Sequence, residues 1–463
     1  LRKVQKDFAR FVNEGEESIG YVEMGLGKTG AWLAALKERF DEKPDMRVLI
    51  VAPRTVALSV WPSEVKKWDF SQHWRVRSAA SGPWQWRREV LASPKGRIVT
   101  INCEMVPKML ETFGRQLPFD LVIIDEVDKF KNPSSLRFKK FFPAMPSFQT
   151  RLAGTGTLVS EGLDDTYGPA QLVTQGRAWP MPHTRWRQKF FYRLAGGPNG
   201  KGGRWLPQKG AEAEIMRRIS PLIFRARAED HLDLPPMVVK PYVIDMPPAM
   251  KKDYREILHH HRLRLASGSI SQLEAAATQM KLRQLCSGFV YTNPEVDLGD
   301  GRDVEVKRYT EWRMKGGGPK FSALHDILEE LGHEQALIMT QFVAERDQLK
   351  MPWLSGSLPA SLLNARITAW NQGRIRRMSG HPRSMGHGVN LQEGGAHHIV
   401  WLSLPWSRAE YDQANARLQR MGQTSTVFCH ILMMRGSVDE AIFEALRHKA
   451  DVRTAVDRYL REG

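Results

Sequence analysis

The sequence predicts an α/β protein organised on parallel β-sheets, and three observations lead there. Short runs rich in Val, Ile and Leu, bounded by turn residues, lack polar alternation, as expected of strands covered on both faces. Stretches of helical periodicity lie between them. A glycine-rich loop joins the first such run to the first such helix. The clearest strands fall at residues 19–23, 48–52, 98–102, 121–125, 336–340 and 398–403, with helices at 27–39 and 408–420. Their tips carry Gly, Pro or acidic residues, which is where such sheets place chemistry.

The 463 residues exceed what one core can serve and suggest about two to four domains. With 42% hydrophobic and 26% charged residues the chain reads as folded rather than disordered. Sixty-eight Lys and Arg against 51 Asp and Glu leave a formal charge of +17, so nucleic acid is the first partner to consider, although charge alone names no ligand. Cys103, Cys286 and Cys429 are far apart with no CxxC spacing, which supports neither a disulfide framework nor a structural zinc site and fits a reducing cytoplasm. No apolar run approaches the roughly 18 residues of a membrane span, and LRKVQKDFARF is an amphipathic start rather than a signal peptide. A membrane partner is therefore not expected.

The strand at 19–23 runs into EMGLGKT at 23–29 and then a helix, the order a phosphate cradle requires. Gly25 and Gly27 permit close backbone approach, Lys28 can reach the β and γ phosphates, and the Thr29 hydroxyl can ligand magnesium. Val22 stands where the full eight-residue pattern has its first Gly. At 121–126, LVIIDE delivers two carboxylates at the end of a buried strand, a costly placement unless a cation holds them. Asp125 is assigned to magnesium and Glu126 to orienting and deprotonating a water; a helix N-cap is the plainer alternative. In QANARLQRMGQ at 413–423, Arg417 and Arg420 are spaced i, i+3, so a helix would aim both at one anion; an exposed, ion-paired helix is the alternative.

The order of these motifs resembles the superfamily-two nucleic-acid translocases of the Swi/Snf type, from Leu1 to about Ala445. Leu1-Arg2 with Gln5 resembles the family's adenine-reading segment. MGLGKT resembles motif I, and VAPR at 51–54, followed by Trp61 and Trp68, resembles motif Ia. DEVD at 125–128 with KNPSS at 131–135 is similar to motif II, and TGT at 155–157 with LDDTY at 163–167 to motif III. Pro319-Lys320 and TQF at 340–342 are similar to the second-lobe entry and motif IV, GHGVNLQ at 386–392 to motif V, and QANARLQRMGQ to motif VI. The compact length, His381-Pro382 and the SLPWS run at 403–407 look most like the short bacteriophage and prophage members. Asp128 replaces the family's usual His, Leu158 a Pro, Glu161 an Asn and Gln419 a frequent His.

The resemblance implies an ATP- and magnesium-dependent, DNA-stimulated translocase in the bacterial host cytoplasm. Two RecA-like lobes are expected, with a mainly helical, basic insertion between them: lobe 1 at 1–175, the insertion at 176–235, a helical linker and hairpin segment at 236–318, and lobe 2 at 319–463. ATP would be bound by Gln5, Gly25, Gly27, Lys28, Thr29, Gly388 and Gln413, with magnesium on Thr29 and Asp125 and catalysis by Lys28, Asp125, Glu126, Arg417 and Arg420. Pro53, Arg54, Asn102, Thr155, Gly156, Gln341, Ser384 and Gly386 would contact the backbone of duplex or branched DNA, turn or cap duty being the alternative for each. The protein is expected to act as a monomer, with replication or recombination proteins as further partners.

Two readings of the aromatic, basic stretch RWRQKFFYR at 185–193 remain open, a stacking wedge or a helix packing its rings on lobe 1, and WQWRR at 84–88 invites the same pair. His259-His260-His261 reads as a solvated helix face. Other functions are a strand-separating helicase, an annealing motor and a non-catalytic DNA-binding scaffold. Asp297 or Asp300 with Glu305 and Lys307 imitates a metal-dependent nuclease, and a hairpin turn about Asp300-Gly301 explains the same residues.

Overall fold

Five-residue apolar runs can only be satisfied with cover on both faces, and in the computed structural model they form the centres of two parallel sheets. The structure describes residues 1–23, 25–93, 97–156, 163–193, 205–231, 234–266, 272–290, 318–355, 358–383, 385, 389–448 and 452–462. The chain divides into two compact units, Leu1–Asp233 and Leu234–Met385 with Val389–Gly463.

The first unit contains β1 (Glu17–Val22), β2 (Val48–Ala52), β3 (Val76–Ser78), β4 (Ile98–Asn102), β5 (Leu121–Asp125), β6 (Thr150–Thr155), β7 (Phe191–Arg193), β8 (Trp205–Pro207) and β9 (Ile223–Ala226). Seven of these make a parallel sheet in the order β3-β4-β2-β5-β6-β1-β9. Every residue of β2, β4 and β5 is buried, because apolar clusters cover both faces. The amphipathic start forms a helix over Lys3–Asn13 whose Val4, Phe8 and Val12, at i, i+4 and i+8, face the core.

Of the insertion expected at 176–235, the described residues up to His231 fold with this unit. They supply the helix His183–Phe190, the antiparallel β7–β8 hairpin, the helix Ala211–Ile219 and finally β9, which pairs with β1. The aromatic stretch packs its rings: Trp186 and Phe190 are buried, each with its ring centre 5.6 Å from that of Trp179. In the other aromatic stretch Trp86 remains 44% exposed, so that helix does not bury both of its rings.

The second unit carries β10 (Met237–Ile244), β11 (Ala336–Met339), β12 (Trp353–Leu354), β13 (Arg377–Gly380), β14 (His398–Trp401) and β15 (Val427–Met434), parallel in the order β10-β15-β14-β11-β13-β12. β10 was not predicted; Pro241 argues against a central strand, and the strand is at the sheet edge, where a missing N–H is tolerated. The helices Pro248–Ala266 and Gln272–Cys286 add Tyr254, Leu282 and Leu285 to this unit's core.

Two helical expectations are corrected. The helix expected at 408–420 stops at Asn415, where the Arg417 and Leu418 N–H groups donate to the carbonyls three residues back and tighten the chain into turns. Of the three consecutive histidines His259 and His260 are exposed, but His261 is buried. All three cysteines are unpaired and buried, and among the described residues no helix is long and apolar enough to cross a membrane. The nuclease-like residues Asp297, Asp300, Glu305 and Lys307 lie outside the described residues.

Candidate nucleotide site

In the first unit β1 delivers the glycine loop and β5 the two carboxylates, both at the carboxyl edge of the sheet with β6 between them. Gly27 precedes the helix Lys28–Glu42 with φ 78° and ψ 38°, a left-handed conformation that glycine adopts without steric cost. A Cβ there would also lie 2.4 Å from the Gln5 amide nitrogen. Gln5 is buried and donates from that nitrogen to the Gly27 carbonyl at 3.0 Å, while its oxygen accepts from the Arg2 N–H at 2.9 Å. The amphipathic first helix thus ties the expected adenine-reading side chain to the loop.

Lys28 Nζ lies 3.1 Å from Asp125 Oδ1 and 3.9 Å from Glu126 Oε1. Burial opposes the ammonium, but Asp125 and Glu126 more than offset it and hold the Lys28 pKa above its ordinary value. Burial pushes the Asp125 carboxyl up, against the pull of Lys28. Trp61 donates from its indole N–H to Asp125 Oδ2 at 3.1 Å. Trp32, one helical turn beyond Lys28, sets its ring 5.5 Å below the ammonium and stacks on Trp61 at 5.8 Å. Gly154 in β6 makes room for this layer, since a Cβ there would fall 2.3 Å from Trp32.

Glu126 has φ 67° and ψ 61°, left-handed for a residue with a side chain, a strain typical of functional turns. Asp128, two residues on, is pushed up to about 7 by burial and then by Glu126. The motif III residue Asp164 accepts from Arg187 Nε at 2.9 Å and contacts His183 Nε2 at 2.9 Å; although burial opposes ionisation, these partners hold it down at about 2.

The expected nucleic-acid residues of this unit sit at the carboxyl ends of other strands: Pro53 and Arg54 after β2, Asn102 closing β4, Thr155 closing β6 and Gly156 after it. Pro53 accepts from the Ala57 N–H as the chain enters a π-helical turn, Val56–Val60. Asn102 donates to Glu104 Oε2 at 2.9 Å. Arg54 lies close enough to Arg87, in the half-exposed helix Trp84–Ala92, to disfavour its charge, after burial.

In the second unit Gln341 follows β11 and gives its backbone N–H to Glu345 Oε2 at 2.8 Å. Gln413 lies on the helix Arg408–Asn415. Arg417 and Arg420 lie on the turns beyond it, so they do not share the helix face that their i, i+3 spacing suggested. Arg417 is buried, and Arg420 donates to the Val389 carbonyl at 3.4 Å. Ser384, Gly386 and Gly388 lie outside the described residues, as do Thr157, Leu158 and Glu161.

The sequence reading missed Trp32, Gly154 and the hydrogen bond of Trp61. The i, i+4 spacing of Lys28 and Trp32 was a usable signal; the other two depend on helix side chains meeting strands far from them in sequence.

Comparison with known proteins identifies the family. The family model for the SNF2-related domain matches residues 15–288, more than half of the chain. The chain belongs to the SNF2-related family. It is a Swi/Snf-type member of helicase superfamily 2 and uses ATP. This SNF2-related protein is 26% identical over 441 residues to protein p41 of Acyrthosiphon pisum secondary endosymbiont phage 1, covering 92% of this chain and 91% of that one. It is 24% identical over 472 residues to an uncharacterised ATP-dependent helicase of Mycoplasma genitalium, of whose length it spans 42%. The SWI2/SNF2 ATPase core of Sulfolobus solfataricus, solved with dsDNA, is 22% identical, with 100% of this chain and 93% of that one covered at a TM-score of 0.44. The expected resemblance, including its phage affinity, is thereby borne out.

Proposed function

We propose that the protein is an ATP-driven translocase that tracks the backbone of duplex or branched DNA. The observation that carries this reading is the Lys28 ammonium held between Asp125 and Glu126 at the mouth of the glycine loop. Two buried carboxylates face one cation, which leaves a surplus of negative charge beside the loop. When the γ phosphate arrives, Lys28 can exchange carboxylate for phosphate oxygen with little loss of charge pairing.

Asp125 and the Thr29 hydroxyl are an all-oxygen donor pair of the kind magnesium takes, and Lys28 already places positive charge against Asp125. Magnesium held there would neutralise phosphate charge. Glu126 orients the attacking water and accepts its proton, and Gln5 reads the adenine. Arg417 and Arg420 carry the role that the family resemblance implies for them, stabilising charge on the transferred phosphoryl group. Differential affinity of the two units for ATP and for its products converts the cycle into stepping along DNA. The net charge of +17 supports a polyanionic track, and backbone contacts from Pro53, Arg54, Asn102, Thr155, Gly156 and Gln341 require no base reading.

ATP turnover measured without DNA and with single strands, duplex and forked junctions tests the proposal. Stimulation by duplex or forks without strand separation is expected. Displacement of a strand points instead to a helicase, rewinding to an annealing motor, and salt-dependent binding with no turnover to a scaffold.

A further inference from the structure

We propose that the second unit binds one divalent transition-metal cation of the zinc class through Glu334, His397 and His398. The three residues gather where β11 and β14 begin, at the opposite end of those strands from Gln341. One donor atom of each lies within 4.8 Å of the other two.

Hydrogen bonding prepares His397 as a ligand. Its Nδ1 is 2.9 Å from the Gly395 carbonyl, which can only accept, so Nδ1 carries the proton. The neutral ring then turns a bare Nε2 lone pair toward Glu334 Oε2, 3.4 Å away. Two acceptors facing each other at that separation require positive charge on or between them.

His398 completes the set. Its Nε2 lies 2.5 Å from the same Glu334 oxygen, and its Nδ1 is 3.1 Å from Nε2 of His430, whose Nδ1 is 3.0 Å from the Tyr242 hydroxyl. Without a cation, His398 Nε2–H donates to Glu334, His430 Nε2–H to His398, and the Tyr242 O–H to His430. With a cation on His398 Nε2, each ring proton moves to the other nitrogen. His398 then donates to His430 and His430 to Tyr242, so neither ring gains or loses a proton. A second shell that satisfies both tautomers is what an imidazole ligand needs.

The supporting backbone is fixed. Gln335 donates to the carbonyls of Trp370 and Ile375 at 2.9 and 2.7 Å, Arg377 donates to the Glu334 carbonyl, and His398 stacks on Phe428 at 5.2 Å. Two imidazoles and a carboxylate select Zn²⁺, Co²⁺ or Ni²⁺ over Mg²⁺ and leave a coordination position for water. Lys240 lies over the Phe428 ring at 4.5 Å, and Glu334 is half exposed, so micromolar rather than nanomolar affinity is expected. The bound cation would tie the turn before β11 to the start of β14. By contrast His325, Asp326 and Glu329, also close enough to share an ion, are all exposed on one helix.

The test titrates tag-free, chelator-stripped full-length protein with Zn²⁺ alone by calorimetry, and with Co²⁺ alone by visible absorption. One equivalent should bind, the melting temperature should rise with Zn²⁺, and Co²⁺ should develop a ligand-field spectrum. His397→Ala and Glu334→Gln, both at accessible side chains, should each weaken binding at least tenfold and abolish that spectrum, with circular dichroism unchanged. His325→Ala should leave binding intact. No stoichiometric Zn²⁺ binding, or binding that neither variant at Glu334 or His397 weakens, overturns the proposal and leaves an imidazolium–carboxylate pair as the account of these contacts.

Discussion

Each unit buries a lysine against a carboxylate, and the two pairs do different work. Lys320 in the second unit is 1% exposed, lies 2.7 Å from Asp439 and donates to the Leu402 carbonyl at 3.1 Å. Asp439 in turn accepts from the Met434 N–H within the first turn of the helix Val438–Arg447. That pair is saturated by neighbours that belong to packed elements. Lys28 keeps 14% of its side chain exposed, stands at the edge of its sheet on a glycine loop, and faces two carboxylates where one would balance it. A buried charge whose partners are all supplied by the core is a structural strut, whereas one with surplus opposite charge at a partly exposed edge is prepared to exchange its partner.

Replacing either lysine probes this contrast most strongly. Lys28→Ala should reduce ATP turnover to background while DNA binding persists, and Glu126→Gln should bind ATP without releasing products; full turnover by either variant would refute the site. Arg420→Ala should lower turnover by about 10³-fold with the fold intact. Ordinary rates in that variant would transfer the role to Arg417. Lys320→Ala should act on stability instead, lowering it by about 3 to 5 kcal/mol in denaturant unfolding, because Asp439 is left buried without its cation. If Lys320→Ala melts normally, the division between strut and exchanger fails.

Smaller effects sharpen the first-unit cluster. Trp61→Phe removes one hydrogen bond to the Asp125 carboxylate, an effect of about 1 to 3 kcal/mol. That bond favours the ionised form, so its loss should raise the Asp125 pKa and move the acid limb of the turnover profile to higher pH. Asp128 tests the same cluster through its pH dependence. Its native pKa of about 7 lies above the ordinary carboxylate value, so the native chain binds the extra proton between them. The resulting stabilisation is complete below the ordinary Asp range and is lost as pH rises through about 7. Asp128→Asn should therefore gain stability relative to the parent across that rise, as read from the denaturation midpoint; a constant difference would mean that Asp128 does not titrate there.

Much of the first unit was legible in the sequence because its strands are short, apolar on both faces and punctuated by glycine or acid. Lys28, Asp125 and Glu126 could be placed at strand tips from those patterns. Arg417 and Arg420 could be located but not oriented, because the helix that carries Gln413 ends at Asn415 and turn geometry then takes over. The aromatic stretch at 185–193 left two readings open because ring burial depends on a partner, and Trp179 is that partner.

The sequence by itself determined the α/β class, the glycine loop and carboxylates at their strand tips, and the family, since each is written in local order: apolar run, glycine loop, acidic tip. Only the tertiary structure decided that Trp61 holds Asp125, that Gly154 admits Trp32, and that β9 extends the first sheet. It also brought Glu334 beside His397 and His398. These contacts join residues separated by tens of positions, and the packing of helices on the sheet and of strands beside one another, rather than any periodicity along the chain, fixes which of them meet.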